Sequence, residues 1–555
     1  MFKGQPKGLF ALALSNAGER FGYYTMLAIF TLYMRAKFGW DENESGQVYA
    51  IFLAGLYFMP LLGGIIADKI GYGKCVTIGS IVMILGYVAL SIPMATDQID
   101  KWALFLSLAM IAIGTGLFKG NLQVLVGNLY DTPELSSKRD SAFSLFYMGI
   151  NLGAMFAPAM AKAMYMPHLE NAGFHYVPID NAVMEFGTRA GEYLDTLAGG
   201  FRLCFIIACA AHVLSLLIYI VCRPWYKHAD VTSNEARKQE IPVEELTPQQ
   251  TRQRIVALLL VFAVVIFFWM AFHQNGSALT FFADKYTQLD GITGLNRMWF
   301  NVWSLTLIAV SVYTLFTIFQ SEERKARIIL TVITLVLWAG AIAFYLAMPN
   351  PYNDATASDF QQFNPFFVVA LTPVSVVVFG MLASKGKEPS APVKIGLGML
   401  LAGVGFAVIT VASKNLISPM DLGDRSQNIL DPNWLIGTYF TLTVAELLLS
   451  PMGMSFVSKV APPKYKGLMM GGWFAATAIG NYLSRIPSAL WNRIPLMANW
   501  AIIIGLCVIA GLIMFALRKR LETATSGTVP NVTVFVNQDS YNCPSMENCN
   551  IRNRP

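Results

Sequence analysis

About fourteen stretches of roughly 20 predominantly apolar residues recur along the chain, each long enough to cross about 30 Å of hydrocarbon. No other feature restricts the fold as much. In lipid every backbone N–H and C=O must find its partner within the protein, which leaves helices or closed barrels. The alternating segments of barrel staves are absent, so the spans are predicted as α-helices and the chain as an all-α integral membrane protein. Composition agrees: 13% of the 555 residues are charged and 55% hydrophobic, against about 25% charged in an average soluble domain.

The first six spans are predicted near 9–35, 44–67, 75–95, 102–129, 141–164 and 199–222. Eight more lie near 254–282, 297–319, 326–348, 364–384, 392–413, 433–458, 466–490 and 498–521. This divides the chain into an N-terminal six-helix bundle (1–222), a linker (223–253), a C-terminal bundle (254–521) and a polar, mobile cytoplasmic tail (522–555). The stretch 165–198 reads as a plain loop. Basic residues collect on alternate loops, among them Lys69, Lys74, Lys138, Arg139, Arg324, Lys325, Lys464 and Lys466. The intervening loops carry acids such as Asp41, Glu42, Asp97, Asp354 and Asp421. By the positive-inside rule the basic face is cytoplasmic, and an even number of spans puts both termini there, in a plasma (inner) membrane. The first apolar stretch lacks a small-residue cleavage site and is expected to stay as a helix.

Several functions find no support. No basic patch interleaved with aromatics points to nucleic acid. No nucleophile elbow, HExxH site, phosphate loop or cysteine–histidine pairing supports an enzyme or an ATP-driven pump. Cys75, Cys204, Cys209, Cys222 and Cys507 lie in or beside apolar spans and read as small buried hydrophobes. Cys543 and Cys549 fit no common zinc spacing, and neither metal nor cofactor is expected. Six spans, a basic linker and a further set instead resemble the major-facilitator layout, in which two six-helix bundles hold substrate between them. Here two extra transmembrane helices are added. The stretch Gly63-Gly64-Ile65-Ile66-Ala67-Asp68-Lys69-Ile70-Gly71-Tyr72-Gly73-Lys74 resembles that superfamily's loop between spans two and three. Its small residues permit close helix approach, and its charges can lock or release the inner face.

Charges inside spans are costly and mark functional candidates. Glu19 and Arg20 fall in span one, Lys119 in span four, His273 in span seven, and Glu446 in the span near 433–458. Tyr23, Tyr24, Tyr57, Asn151, Trp269, Gln274 and Trp473 accompany them. A static salt-bridge set would not need such aromatic and amide companions.

The order of short motifs then carries a family resemblance. Glu19-Arg20-Phe21-Gly22-Tyr23-Tyr24 resembles the first-helix signature of the proton-dependent oligopeptide transporter (POT) family. Phe143 to Gly153 resembles its fifth-helix FYxxINxG signature, and Gly114 to Asn121, with Lys119, its fourth-helix segment. Phe268-Trp269 followed by Gln274 resembles its seventh-helix stretch, and Asn364-Pro365 the start of the next core helix. Glu446 to Gly453 and Met470 to Asn481 resemble its two closing motifs.

The resemblance implies a monomeric transporter importing di- and tripeptides with protons. Lys119 would attract the peptide carboxylate or pair with Glu19, and Glu446 would hold the ammonium. Tyr23, Tyr24, Tyr57, Asn151 and Asn364 would offer polar contacts, while Trp269 and Trp473 would line side-chain pockets. Three departures stand out: Asn16 replaces the first carboxylate of the family's ExxER, Leu27 replaces an arginine, and His273 replaces a glutamate. The last two partners pair at the outer gate in the family, so losing both avoids an orphaned buried charge. Coupling must then rest on Glu19, Glu446 or His273, the histidine having an ordinary pKa near 6.5. The alternatives are a carrier of a small anion or another non-peptide solute, and an uncoupled peptide facilitator.

Overall fold

Helix ends follow local chemistry. The side chains and backbones of Thr247 and Gln250 cap one another at 3.2 and 2.9 Å, with Pro248 in the first turn, where its missing N–H costs nothing. Gly39 ends the first helix at φ 65, a left-handed conformation that glycine adopts without strain.

The computed structural model describes residues 4–526 apart from 41, 95, 177–178, 180–181, 232–245, 277, 354, 356, 422–425, 427 and 492. Cys543, Cys549 and the tail beyond Ser526 lie outside the described residues. Fourteen helices of 18 residues or more follow one another. They are α1 Lys7–Phe38, α2 Glu42–Ile70, α3 Tyr72–Ser91, α4 Asp97–Asn128, α5 Arg139–Asn171, α6 Ala190–Val221 and α7 Pro248–Phe272. The second set is α8 Val302–Gln320, α9 Arg324–Ala347, α10 Phe363–Ser384, α11 Ala391–Ala412, α12 Pro432–Val460, α13 Lys466–Leu483 and α14 Leu496–Ser526. Twelve described helices are long and apolar enough to cross a membrane. The two outside that set are α1, interrupted by Glu19 and Arg20, and the short, glycine-rich α13; fourteen spans require both to cross as well.

Two expectations change. The predicted span 254–282 is not continuous: α7 stops at Phe272, a 3-10 turn covers His273–Gly276, and a separate helix runs over Ala278–Tyr286. Asn275 and Gly276 supply the turn chemistry that ends it. The stretch 165–198 is largely helical, because α5 runs on to Asn171, a short helix covers Ala182–Phe186, and α6 begins at Ala190. Phe174, Phe186 and Tyr193 pack together there with ring centroids 4.7–5.7 Å apart, which gives the extensions an apolar anchor.

In the first half α1 packs on α5 and α6, and α4 on α2 and α3. In the second, α11 packs on α12 and α14, and α7 on α13 and α14. Glycines set several crossings: a Cβ at Gly79 or Gly114 would stand 2.6 Å from the other's carbonyl oxygen. Gly79→Val should therefore cost about 1–3 kcal/mol, read as a lower thermal unfolding midpoint in detergent. An unchanged midpoint would mean that α3 and α4 separate freely.

The halves meet where α2 runs along α13, where α5 meets α10 and α12, and where α4 meets α13. Helices α8 and α9 pack on one another, and α8 lies against α10 and α5. Tyr313 on α8 donates to the Val369 carbonyl at 2.7 Å and touches Met148 of α5. Helix α9 buries only Thr334 and Ala341.

Candidate functional site

Without water to solvate them, charges in the spans must find partners or remain poised for a ligand. On α1, Glu19 and Arg20 are each 1% exposed. Neighbours on a helix normally point apart, yet here Arg20 Nε and Nη2 donate to both carboxylate oxygens of Glu19. The guanidinium also lies 4.5 Å over the Tyr23 ring, and Tyr24 packs edge-on to Tyr23 at 5.0 Å. A side chain that the sequence reading did not single out, His212 of α6, faces Glu19, with Nε2 3.9 Å from Oε1.

Lys119 behaves differently. Its Nζ lies 3.9 Å from the centroid of Tyr57 and 4.7 Å from that of Phe474. Among the described residues it has no ion pair and no hydrogen bond, so the pairing with Glu19 is not made here. Two ring faces stabilise the cation without neutralising it.

Glu446 on α12 is 2% exposed. Tyr147 from α5 donates to its Oε1, and Asn364 Nδ2 from α10 donates to Oε2 at 2.6 Å. Asn364 also reaches Thr443 Oγ1 at 3.1 Å. The carboxylate is thus held by donors from both halves and has no cation beside it among the described residues. Tyr147 and Thr443 were not among the expected site residues; Tyr147 lay in view only as a letter of the Phe143–Gly153 stretch.

The other expected residues divide. Trp269 is 8% exposed, and its Nε1 has no partner among the described residues. His273 donates from Nδ1 to the Trp269 carbonyl at 2.9 Å, with the two rings 5.3 Å apart. Leu27 packs among apolar side chains of the first half. Asn151 spends its amide on its own helix, bonding the Tyr147 carbonyl at 3.1 Å. Trp473 is buried against Gly453, where an added Cβ would overlap its ring.

The face carrying the basic loops is closed. Asp68, from the glycine-rich stretch ending α2, accepts from the backbone N–H groups of Gly467 at 3.1 Å and Leu468 at 3.2 Å. These are among the donors that the first turn of α13 cannot satisfy within the helix, so Asp68 caps α13 from the other half. Nearby Lys459 bonds Asp140 at 2.7 Å, and Lys466 bonds Asp131 at 2.6 Å. Partial burial works to raise the Asp131 carboxyl, but Lys466 and Arg139 overcome it and hold it below the usual carboxylate range. A depressed carboxyl stabilises the paired state fully above its ordinary value, about 3.9, and loses that contribution only as pH falls through the lower one. The contribution of the Lys466–Asp131 pair to closure should therefore be flat between about pH 5 and 8. Thiol labelling of a Ser458→Cys variant would check this, and Lys466→Ala should raise labelling roughly two- to five-fold.

Comparison with known proteins places this geometry. A model described as POT family matches residues 73–241 and 353–504, over half of the chain. The peptide transporter YePEPT of Yersinia enterocolitica subsp. palearctica serotype O:3 (strain YE-P4) is 27% identical over 566 residues, covering 95% of this chain and 97% of its own. A di-/tripeptide transporter of Lactococcus lactis subsp. cremoris is 25% identical over 544 residues, 94% of this chain and 96% of its own. A crystal structure of a mutant peptide transporter POT in complex with alafosfalin superposes with a TM-score of 0.58 at 25% identity, covering 94% of this chain and 96% of that one. The match runs through the helices that carry Lys119, Tyr147, Asn364 and Glu446, and the chain belongs to the POT family.

Proposed function

We propose that this protein is a secondary active transporter that imports di- and tripeptides by proton symport, acting as a monomer with both termini in the cytoplasm. One observation carries the reading: an unneutralised ammonium at Lys119 in one half, and a carboxylate without a cation at Glu446 in contact with the other. A short peptide is a zwitterion, and its two ends need opposite charges set apart on facing halves. The names of the relatives support the same substrate class. Trp269 Nε1, buried and unpartnered, supplies a donor for a peptide carbonyl. With the basic face taken as cytoplasmic, the conformation is closed inward, with Asp68 and its neighbours as the inner lock. Glu446 speaks against a small anion, which a carboxylate in the cavity would repel.

The test is dipeptide uptake into proteoliposomes with and without an inward proton gradient, for wild type, Lys119→Ala and His273→Ala. Wild type should accumulate peptide only with the gradient. Lys119→Ala should lower uptake roughly 30-fold or more, the effect of removing one buried charged partner. Loss of gradient dependence in His273→Ala would assign coupling to that histidine. Equilibration without accumulation in wild type would mean a facilitator, and nitrate movement without peptide movement would establish the anion reading.

A further inference from the structure

Resting on the symport reading above, we propose that His212 and Glu19 together hold a transported proton, shared between His212 Nε2 and Glu19 Oε1. His212 is 2% exposed, on α6. Its Nδ1 lies 2.8 Å from the Ala208 carbonyl oxygen. A carbonyl only accepts, so Nδ1 carries a hydrogen. In a neutral ring Nε2 is then a bare acceptor. Among the described residues that nitrogen has no hydrogen-bond partner, and it faces Glu19 Oε1 at 3.9 Å. Two acceptors facing one another in a buried site, the unpartnered Nε2 and an oxygen already held by Arg20 on its other side, repel, and a single added proton converts them to a charge-assisted pair.

The ring cannot easily turn away. Ser15 Oγ donates to the Ser215 carbonyl at 3.1 Å and Ser215 Oγ to the Ser15 carbonyl at 2.6 Å, which fixes the register of α1 against α6. Two turns along α1 from Ser15, Gly22 leaves room for the imidazole; a Cβ there would stand 2.5 Å from Nδ1. The groups facing His212 are Glu19 and Arg20 from α1 and Tyr87 from α3, with Cys209 nearby on its own helix. Tyr87 packs on the imidazole at 4.5 Å and its hydroxyl has no partner.

Glu19 Oε1 is also the oxygen that Arg20 Nη2 holds. An imidazolium at His212 competes for it, loosening Arg20, whose Nη1 already lacks a partner. Neutral His212 and ionised Glu19 take up one proton, so the site with Arg20 gains one positive charge. That charge favours an anionic group near Lys119, and reciprocity requires the bound anion to favour the proton. His273 offers no such pair, since no carboxylate lies within ion-pair distance of it among the described residues.

Two measurements on the full chain decide it. In 15N-histidine NMR of the purified protein, the His212 signal, assigned by replacing the other histidines, should keep Nδ1 protonated while Nε2 titrates. Glu19→Gln, which leaves His212 in place, should move that titration. In proteoliposomes, the ratio of gradient-driven accumulation to counterflow exchange of a dipeptide should fall at least about five-fold in His212→Gln. A titration indifferent to Glu19→Gln, or a ratio in His212→Gln equal to wild type, would overturn the proposal. If wild type exchanges no dipeptide, the substrate reading fails, and the NMR arm still decides the proton site. If His212→Gln does not fold, the Glu19→Gln titration decides alone.

Discussion

Replacing Glu446 with alanine should reduce dipeptide uptake roughly 30-fold or more, because a buried carboxylate that accepts from two side chains and, on the proposed reading, holds the peptide ammonium is removed at once. It loses the anion that would hold the peptide ammonium. It also strands the Tyr147 hydroxyl, which donates to the carboxylate from α5, and leaves the Asn364 amide of α10 with Thr443 alone. Each buried donor left without an acceptor costs about 1–3 kcal/mol. The two effects separate with Glu446→Gln, which keeps an acceptor for one donor while removing the charge. If charge is what the substrate reads, the glutamine variant transports as poorly as the alanine variant yet unfolds nearer to wild type. Uptake above a third of wild type in Glu446→Gln would show that hydrogen bonding suffices there and would weaken the zwitterion reading. Transport in liposomes and thermal unfolding in detergent supply both readouts.

The second large effect is expected from Gly64→Val. Gly64 on α2 lies against the Gly467 backbone of α13, where an added Cβ would overlap the carbonyl and come within 3.0 Å of Leu468 N. Backbone cannot yield as a side-chain tip can. Overpacking of this kind costs about 1–3 kcal/mol, and here only the state with the basic face closed bears it. The balance should move roughly 5- to 150-fold toward the open form. Transport that must pass through both states slows accordingly, and a cysteine at Ser458 becomes more reactive to an impermeant thiol reagent. Normal uptake with parental labelling would show that α2 and α13 need not touch in the cycle.

Much of this arrangement is legible in the chain, for reasons that can be named. Lipid demands apolar length and satisfied backbone, so the runs and the charge alternation of the loops report the helices directly. The helices Val302–Gln320 and Arg324–Ala347 are legible as the two apolar runs within 297–348; reading them as an addition to the core bundle is our proposal, drawn from Trp269 following the linker directly. Lys119, Asn364 and Glu446 stand out because a charge or amide among aliphatics needs a reason. His212 meets the same criterion, a titratable ring among aliphatics in the span 199–222, but its partner is set only by the register with α1 that Ser15 and Ser215 fix. Tyr147 is hidden in the same way, since only the packing of α5 against α12 brings its hydroxyl to Glu446. The break after Phe272 is missed because hydropathy continues through Ala278–Tyr286 although the backbone turns at Asn275 and Gly276.

The cap that Asp68 places on α13 bears on ionic strength. Exposed pairs such as Lys466 with Asp131 lie in reach of mobile ions, whose screening length is about 8 Å at 0.15 M salt and about 3 Å at 1 M. Asp68 instead works against backbone amides within hydrogen-bond distance, part-buried between two helices, where counterions have little access. Raising salt should therefore loosen the ion pairs at the rim of the closed face while the Asp68 cap persists, and the protein should hold the same closed geometry in dilute and concentrated surroundings.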